Sequence, residues 1–392
     1  MANDGYDILD TYLNFTQAGE TEIPVEYFIW TGIAMIAAAV ADRVWLDHRG
    51  KNIPNLYTLL IGDSASGKGH AITRMEEVIS PIRFINAVEI RTSAPALLDM
   101  MSAVPVETDD EGRLIDSSKV FIITPELKDN IGAGGKAEDF ISWATSIWEG
   151  QRPIPILETT RTSGIHILID PCVNWIAGSN KQWLMESITV SAMQGGFFGR
   201  VACVQPANYD LNNRKWDVPK IKDYDKILKY LQKRMLDLTR VEGPFTLSTE
   251  ANNFLRNWYM SRPVPDAESP VAPVWKRVPQ MVNKLCMIYS LSASTDLIIT
   301  LEHAKKAKDI VEELLHGVQN LLVYASVTPK TETMYKMSVL LKQSKILPKT
   351  YLLSQLGVTK DDFDLALKTL VEAKSAKLEK AGTGMMVKWI GM

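Results

Sequence analysis

The sequence predicts an α/β protein built on a mainly parallel sheet, and three observations predict it. From about residue 47 to residue 206, short β-rich runs alternate with helical patterns, as in a sheet covered by helices. One of those runs, Leu56-Tyr57-Thr58-Leu59-Leu60-Ile61, feeds a turn of small residues that opens directly into a helix. After residue 206 the alternation stops and periodic helical patterns take over.

In chain order, residues 1–46 read as helical, with Asp7 to Phe15 amphipathic and Pro24 placed where a second helix begins. Phe28 to Ala41 is strongly apolar but too short to span a bilayer. It follows acidic residues rather than a basic segment, so it reads as a buried helix and not as an anchor or signal peptide. Residues 47–215 form the α/β core. Val44-Trp45-Leu46 leads into it, and Val88 to Arg91, Val120 to Ile123, Cys172 to Ala177 and Val201 to Val204 are its further strands, with a helix from Ala96 to Ser102. Ile154 to Glu158 and Ile165 to Ile169 flank a polar tip and read as a hairpin. Residues 216–328 read as an all-helical lid: Tyr224 to Leu238, Ser248 to Tyr259 with Ser248 as N-cap, Val278 to Ser290 and Leu301 to Tyr324, interrupted by a Pro-rich loop from Pro263 to Pro273. Residues 329–392 give three short helices, Met334 to Leu341, Lys349 to Gln355 and Lys360 to Ala373, then a hairpin around Ala381 to Gly384, which is winged-helix order.

Composition narrows the function classes. Lys and Arg total 43 against 46 Asp and Glu, a net charge of −3, so the chain is no polycation and any nucleic-acid contact is local. Its three cysteines are widely spaced, and the five histidines form no ligand pattern with them; this predicts a reducing, cytoplasmic setting and no structural metal.

The turn after the first core strand carries the chemistry. Gly62, Asp63, Ser64, Ala65, Ser66, Gly67, Lys68, Gly69 and His70 fit the phosphate-binding pattern GxxxxGK[ST] at every position but the last. In such a loop the glycines let the backbone approach phosphate oxygens, the helix amides face the anion, and Lys68 neutralises the outer phosphates. Gly69 stands where a hydroxyl normally holds Mg²⁺. The loop resembles that of adenylate kinases in this respect, which implies metal held through water or phosphate oxygens alone. Ser66 and Thr73 are nearby hydroxyls at the wrong positions.

A nucleotide-hydrolysing site also needs a carboxylate to orient or deprotonate water. Glu126 follows the strand Phe121-Ile122-Ile123, and Asp170 follows Ile167-Leu168-Ile169; Glu126 is favoured because it lies closer to the loop in sequence and Asp170 belongs to the hairpin. Asn180, beyond the Cys172 strand, suits a sensor of the terminal phosphate. Arg200, held in Gly195-Gly196-Phe197-Phe198-Gly199-Arg200 before the last strand, suits an arginine finger reaching a neighbouring subunit's nucleotide.

Loop, acid, polar residue and arginine in that order, followed by a helical region, resemble the AAA+ branch of P-loop ATPases. More narrowly, Pro54-Asn55-Leu56-Tyr57, Thr124-Pro125-Glu126-Leu127 and Gly195 to Arg200 resemble phage and mobile-element ATPases of the primase-helicase or replicative-helicase kind, over about residues 20 to 325. The resemblance implies a ring-forming, hexameric ATPase that uses ATP and Mg²⁺ and moves on DNA, single-stranded above all, alongside a separate primase or other replication proteins, in the host cytoplasm if viral. It also implies a second sensor from the lid at Arg277, with Lys276 an equal candidate. Pro125 replaces the metal-orienting aspartate of that pattern. Arg152 and Arg161 flank the hairpin and are candidate contacts to a nucleic-acid backbone. The acidic start of the third terminal helix, Lys360-Asp361-Asp362, favours docking of protein over major-groove DNA. Two other readings stay open: a nucleotide-gated loader or binding module with slow hydrolysis, and a small-molecule kinase suggested only by Gly69.

Overall fold

The computed structural model describes residues 7–17, 22–82, 87–89, 94–102, 107–108, 114–115, 118–127, 135–150, 156–160, 164–168, 170–187, 196–206, 221–265, 269, 272–325, 329–372, 375–381 and 384–390. The chain divides into two compact units, Met1–Asn320 and Leu321–Met392. The larger unit is an α/β structure around a five-stranded sheet whose strands we number β1 (Tyr57–Ile61), β2 (Ala87–Glu89), β3 (Lys119–Thr124), β4 (Cys172–Ser179) and β5 (Val201–Val204). They lie side by side as β5-β1-β4-β3-β2, and every pair is parallel. Strands β1, β4 and β5 are buried along their whole length, which explains why they read as continuous apolar runs and not as alternation.

The apolar segment after Pro24 is the helix Val25–Val40, with Tyr27, Phe28, Trp30 and nearly everything from Thr31 to Val40 buried. It packs across β1, β4 and β5, so its lack of a polar face reflects burial in a large core. No helix among the described residues is long and apolar enough to cross a membrane. Tyr57, Trp148, Trp175, Phe140 and Phe197 make a chain of edge and tilted ring contacts with centroids 4.7–6.4 Å apart, within the range where aromatic pairs add to burial.

The hairpin has antiparallel strands Ile156–Thr160 and Gly164–Leu168. Arg152 and Arg161 lie outside the described residues. In the helical region, Ser248 Oγ accepts the Ala251 N–H at 3.1 Å, the cap its position predicts. The proline-rich segment departs from expectation. The helix begins at Ala272, inside the predicted loop, and runs to Ala293 with Pro279 in its interior. Pro273 sits in the first turn, where no N–H bond is lost. Pro279 deprives the Trp275 carbonyl of its partner four residues on, and the Arg262 guanidinium donates to that carbonyl instead at 2.7 Å.

In the smaller unit the helices Pro329–Ser344, Lys349–Leu356 and Lys360–Glu372 precede a hairpin of Ala376–Ala381 and Gly384–Trp389. A short strand, Ile346–Pro348, adds to the Gly384–Trp389 edge. Three residues ending in proline carry no strand period, so the sequence offered no sign of it. Met337, Leu341, Leu352, Phe363, Leu367 and Val387 form the core. The acidic start of the last helix has a local purpose: Thr359 Oγ1 accepts the Asp362 N–H at 3.3 Å while donating to Asp362 Oδ2 at 2.6 Å, a helix cap. Lys349 pairs with Asp364 at 2.6 Å.

Candidate functional site

Register decides which sequence-predicted residues meet. Ser179 of β4 lies opposite Ile61 of β1, Val204 of β5 opposite Leu60, and Thr124 of β3 opposite Ala177 of β4. Just past those strand ends, Gln205, Gly62, Asn180 and, two residues beyond Thr124, Glu126 share one edge of the sheet. The Gly62 N–H donates to Ser179 O at 3.1 Å, and the Leu127 N–H to Gly178 O at 2.7 Å. The glycine-rich turn, Glu126 and Asn180 therefore converge at the carboxyl ends of the strands, where open parallel sheets hold ligands.

Within the turn Ala65 (φ 63°) and Gly67 (φ 89°) adopt left-handed backbone, which turns successive N–H groups toward a shared concavity at the head of the helix Lys68–Ile79. The glycines are needed for a reason the sequence did not show. A Cβ on Gly62 would stand 2.1 Å from the Tyr27 hydroxyl, and one on Gly67 2.6 Å from Ile23, so the preceding helix and its lead-in occupy the space. Tyr27 donates to Ile61 O at 3.0 Å, and its hydroxyl lies 3.4 Å from Ser66 Oγ. Lys68 Nζ folds back over the turn, donating to Gly62 O at 2.8 Å, Asp63 O at 2.7 Å and Ser66 Oγ at 3.2 Å. Burial lowers the Lys68 pKa, with the charges of Glu126 and Asp63 acting in the opposite sense. That coupling brings Glu126, itself exposed, into the electrostatic reach of the lysine.

Asn180 Oδ1 accepts the Trp183 N–H at 2.7 Å and so caps the helix Lys181–Ser187, leaving its amide N–H₂ for a ligand. Asp170, the rival acid, does not join them. It is exposed, has φ 46°, and precedes Cys172 at the amino end of β4, so it lies at the other edge of the sheet from the turn.

Arg200 also belongs to that amino edge, one residue before Val201, which pairs with Tyr57 at the start of β1. At ~3.3 Å per residue the sheet puts it about 16 Å from the level of Ile61. Its guanidinium is largely buried, donating to Gly196 O at 2.8 Å and lying 3.9 Å from Glu149 Oε1, while its Nε has no partner. Burial lowers its pKa, reinforced by Arg277 and opposed by Glu149. The structure brings Arg277 to Glu149, at 3.4 Å, and to the Arg200 loop. Gln280 completes the cluster by donating to Glu149 Oε2 at 3.1 Å. Lys276 is exposed.

Sequence reasoning missed a cleft at the carboxyl end of β5. About 550 Å³ in volume, it is lined by Glu26 and Trp30, by Cys203 to Pro206 at the end of β5 and just past it, and by residues from Ile310 to Gly317 of the helix Leu301–Ala325. The Gln205 side-chain oxygen is buried there with no hydrogen-bond partner, an acceptor that a ligand N–H would satisfy. Nothing local in the sequence marks Gln205, because the cleft joins segments from the two ends of the unit.

The donor set for a metal is thin. Gly69 has no hydroxyl, a Cβ there would meet open space, and Pro125 takes the place of a second carboxylate. Among the described residues no three His, Cys, Asp or Glu side chains gather into a metal site. The described side chains at the turn thus offer a bound Mg²⁺ few ligands of their own, and one held here would draw mainly on phosphate oxygens and water. No protein-family model matches the sequence, and no curated protein matches it significantly.

Proposed function

We propose that the chain is a P-loop ATPase of the AAA+ kind that assembles into a hexameric ring and works on single-stranded DNA as a replicative helicase or helicase-like motor. The observation that carries this reading is the convergence at one sheet edge of a glycine-rich turn with Lys68, an acid within its electrostatic reach and a polar strand end, with a cleft of about 550 Å³ at the carboxyl end of β5. ATP would lay its phosphates against the amides of residues 62 to 70 and its base in the cleft beside Gln205. Glu126 would hold the attacking water and Asn180 the terminal phosphate.

Arg200 supports the ring. It lies too far along the strands to serve its own chain's phosphates, so its catalytic use requires a neighbour, and that use requires it to leave Gly196 O and Glu149. Arg277, in the same cluster, would act at that interface too. The helix-strand-helix-helix-strand-strand order of residues 329–389 supports a winged-helix reading, suited to a partner protein or a nucleic-acid backbone. The resemblance to phage and mobile-element ATPases supports a viral replication setting in the cytoplasm, with a separate primase as partner.

A second reading has its own support: Gly69 and Pro125 remove both usual metal-holding side chains, which suits a nucleotide-gated loader with slow hydrolysis. ATP turnover measured with and without single-stranded DNA separates the two. Turnover stimulated by the strand is expected of the motor; tight ATP binding with turnover indifferent to DNA would replace it with the loader.

A further inference from the structure

A second cleft of about 360 Å³ opens away from the glycine-rich turn, between the tight turn joining the strands Val44–Asp47 and Lys51–Asn52, the helix Thr249–Ser261 and the middle of the helix Ala272–Ala293. Its chemistry is basic and aromatic: His48, Arg49, Arg256, Trp258, Tyr259 and Asn283 line it, and among the described residues no acidic side chain does. The Arg49 guanidinium lies over the Tyr259 ring, 3.7 Å from its centroid. Arg49 and Arg256 are both exposed, and neither has a carboxylate partner among the described residues. His48 Nδ1 is 3.3 Å from Asn283 Oδ1, which ties the turn to the long helix and fixes one wall.

Arg49 is an unexpected residue for its place. It has φ 57° in a tight turn before Gly50 (φ 106°), where Asn or Gly would fit without strain. A residue that breaks the local backbone rule points to use of its side chain. Here that side chain forms a flat cation backed by an aromatic ring with its outer face in solvent. Bases stack on such guanidinium planes, and a neighbouring unpaired arginine supplies the phosphate contact.

We propose that this cleft binds an unpaired nucleotide, its base stacked on the outer face of the Arg49–Tyr259 pair and its phosphate on Arg256. The stacking chemistry is independent of the ATPase. That the nucleotide belongs to a single strand, and is not a free mononucleotide, rests on the reading of the chain as a motor on DNA. The volume admits one nucleotide unit, and the open mouth lets a strand continue on either side.

The test is fluorescence anisotropy of a labelled oligothymidylate with the full chain, in the absence of ATP. Arg256→Ala, and Arg49→Asn, chosen because asparagine accepts the left-handed backbone, should each weaken binding ~10-fold, while ATP turnover without DNA is unchanged. An iodouracil-substituted oligonucleotide should crosslink to the peptide containing Trp258 and Tyr259. A duplex of the same length should bind more weakly. Displacement of the oligonucleotide by micromolar dTMP would support the site and name a free nucleotide as its occupant. Affinity within two-fold of wild type in both folded variants, or equal affinity for the duplex, would overturn the proposal. Turnover without any oligonucleotide binding sinks the cleft alone. Oligonucleotide binding that the variants weaken, in a chain without turnover, sinks the motor alone.

Discussion

The two edges of the parallel sheet differ in a way that composition hides. At the carboxyl edge, Lys68, Glu126, Asn180 and Gln205 come from four segments but reach the same edge; Lys68 is held by the turn's own oxygens, Asn180 by the Trp183 N–H, and the Gln205 side-chain oxygen is left without a partner. At the amino edge, Arg200 and Arg277 share the single carboxylate of Glu149, and the Arg200 Nε is left without a partner. One edge is a site that a single chain completes. The other gathers two arginines on one carboxylate among the described residues, about a strand's length from the glycine-rich turn of its own chain. Under the reading proposed above, the second edge serves the first edge of a neighbouring copy.

The comparison breaks first at Lys68. Lys68→Ala should lower ATP affinity by 10²-fold or more in a chain whose thermal unfolding shows it folded, because the lysine's hydrogen bonds are to turn carbonyls and not to a core partner. Undiminished affinity, by calorimetry, would remove the phosphate site. Arg200→Ala tests the other edge and should bind ATP normally while losing ~10³-fold in turnover. Mixed with Glu126→Gln subunits, it should regain measurable activity, since one interface then has both a good acid and a good arginine. Failure to recover in rings shown to exchange subunits would mean that the amino edge is structural.

Smaller effects sharpen the picture. Glu126→Gln alone should lose ~10²-fold in turnover, and Asp170→Asn should change it little, because only Glu126 stands at the loop edge. The reverse order in steady-state rates would exchange their roles. Gly69→Ser has room for its side chain and should lower the Mg²⁺ concentration needed for half-maximal turnover several-fold. An unmoved Mg²⁺ dependence would show that the missing hydroxyl is immaterial.

Near the amino edge, beside the residues that lead into β1, Lys284 is fully buried, donating to Ile53 O at 2.7 Å and to Asn55, with its ammonium 4.5 Å from the Trp148 ring centroid. Burial pulls its pKa down to about 7 from the ordinary 10.5. Between those values the unfolded chain binds the proton and the folded chain does not. Stability should therefore rise with pH across that window, by about 1.4 kcal/mol per pH unit at most. Denaturant unfolding of Lys284→Met between pH 7 and 9 should lack that rise, and an equal slope in both proteins would assign it elsewhere.

What the sequence by itself determined is what local rules can express. An apolar run, small residues and a lysine at the head of a helix define the turn, and the strand after Ser118, the caps at Ser248 and the terminal helix-hairpin order are equally local. These depend on side-chain periodicity and backbone preference within a few residues. Tertiary structure alone decided which strands are neighbours. By placing β4 between β1 and β3 it brought Glu126 to Lys68, sent Asp170 and Arg200 to the far edge, and moved Arg277 to Glu149. It also made the two clefts, whose walls come from residues as far apart as Glu26 and Gly317, or His48 and Asn283. Strand order follows from burying every apolar face at once, a condition on the whole chain that no window of sequence contains.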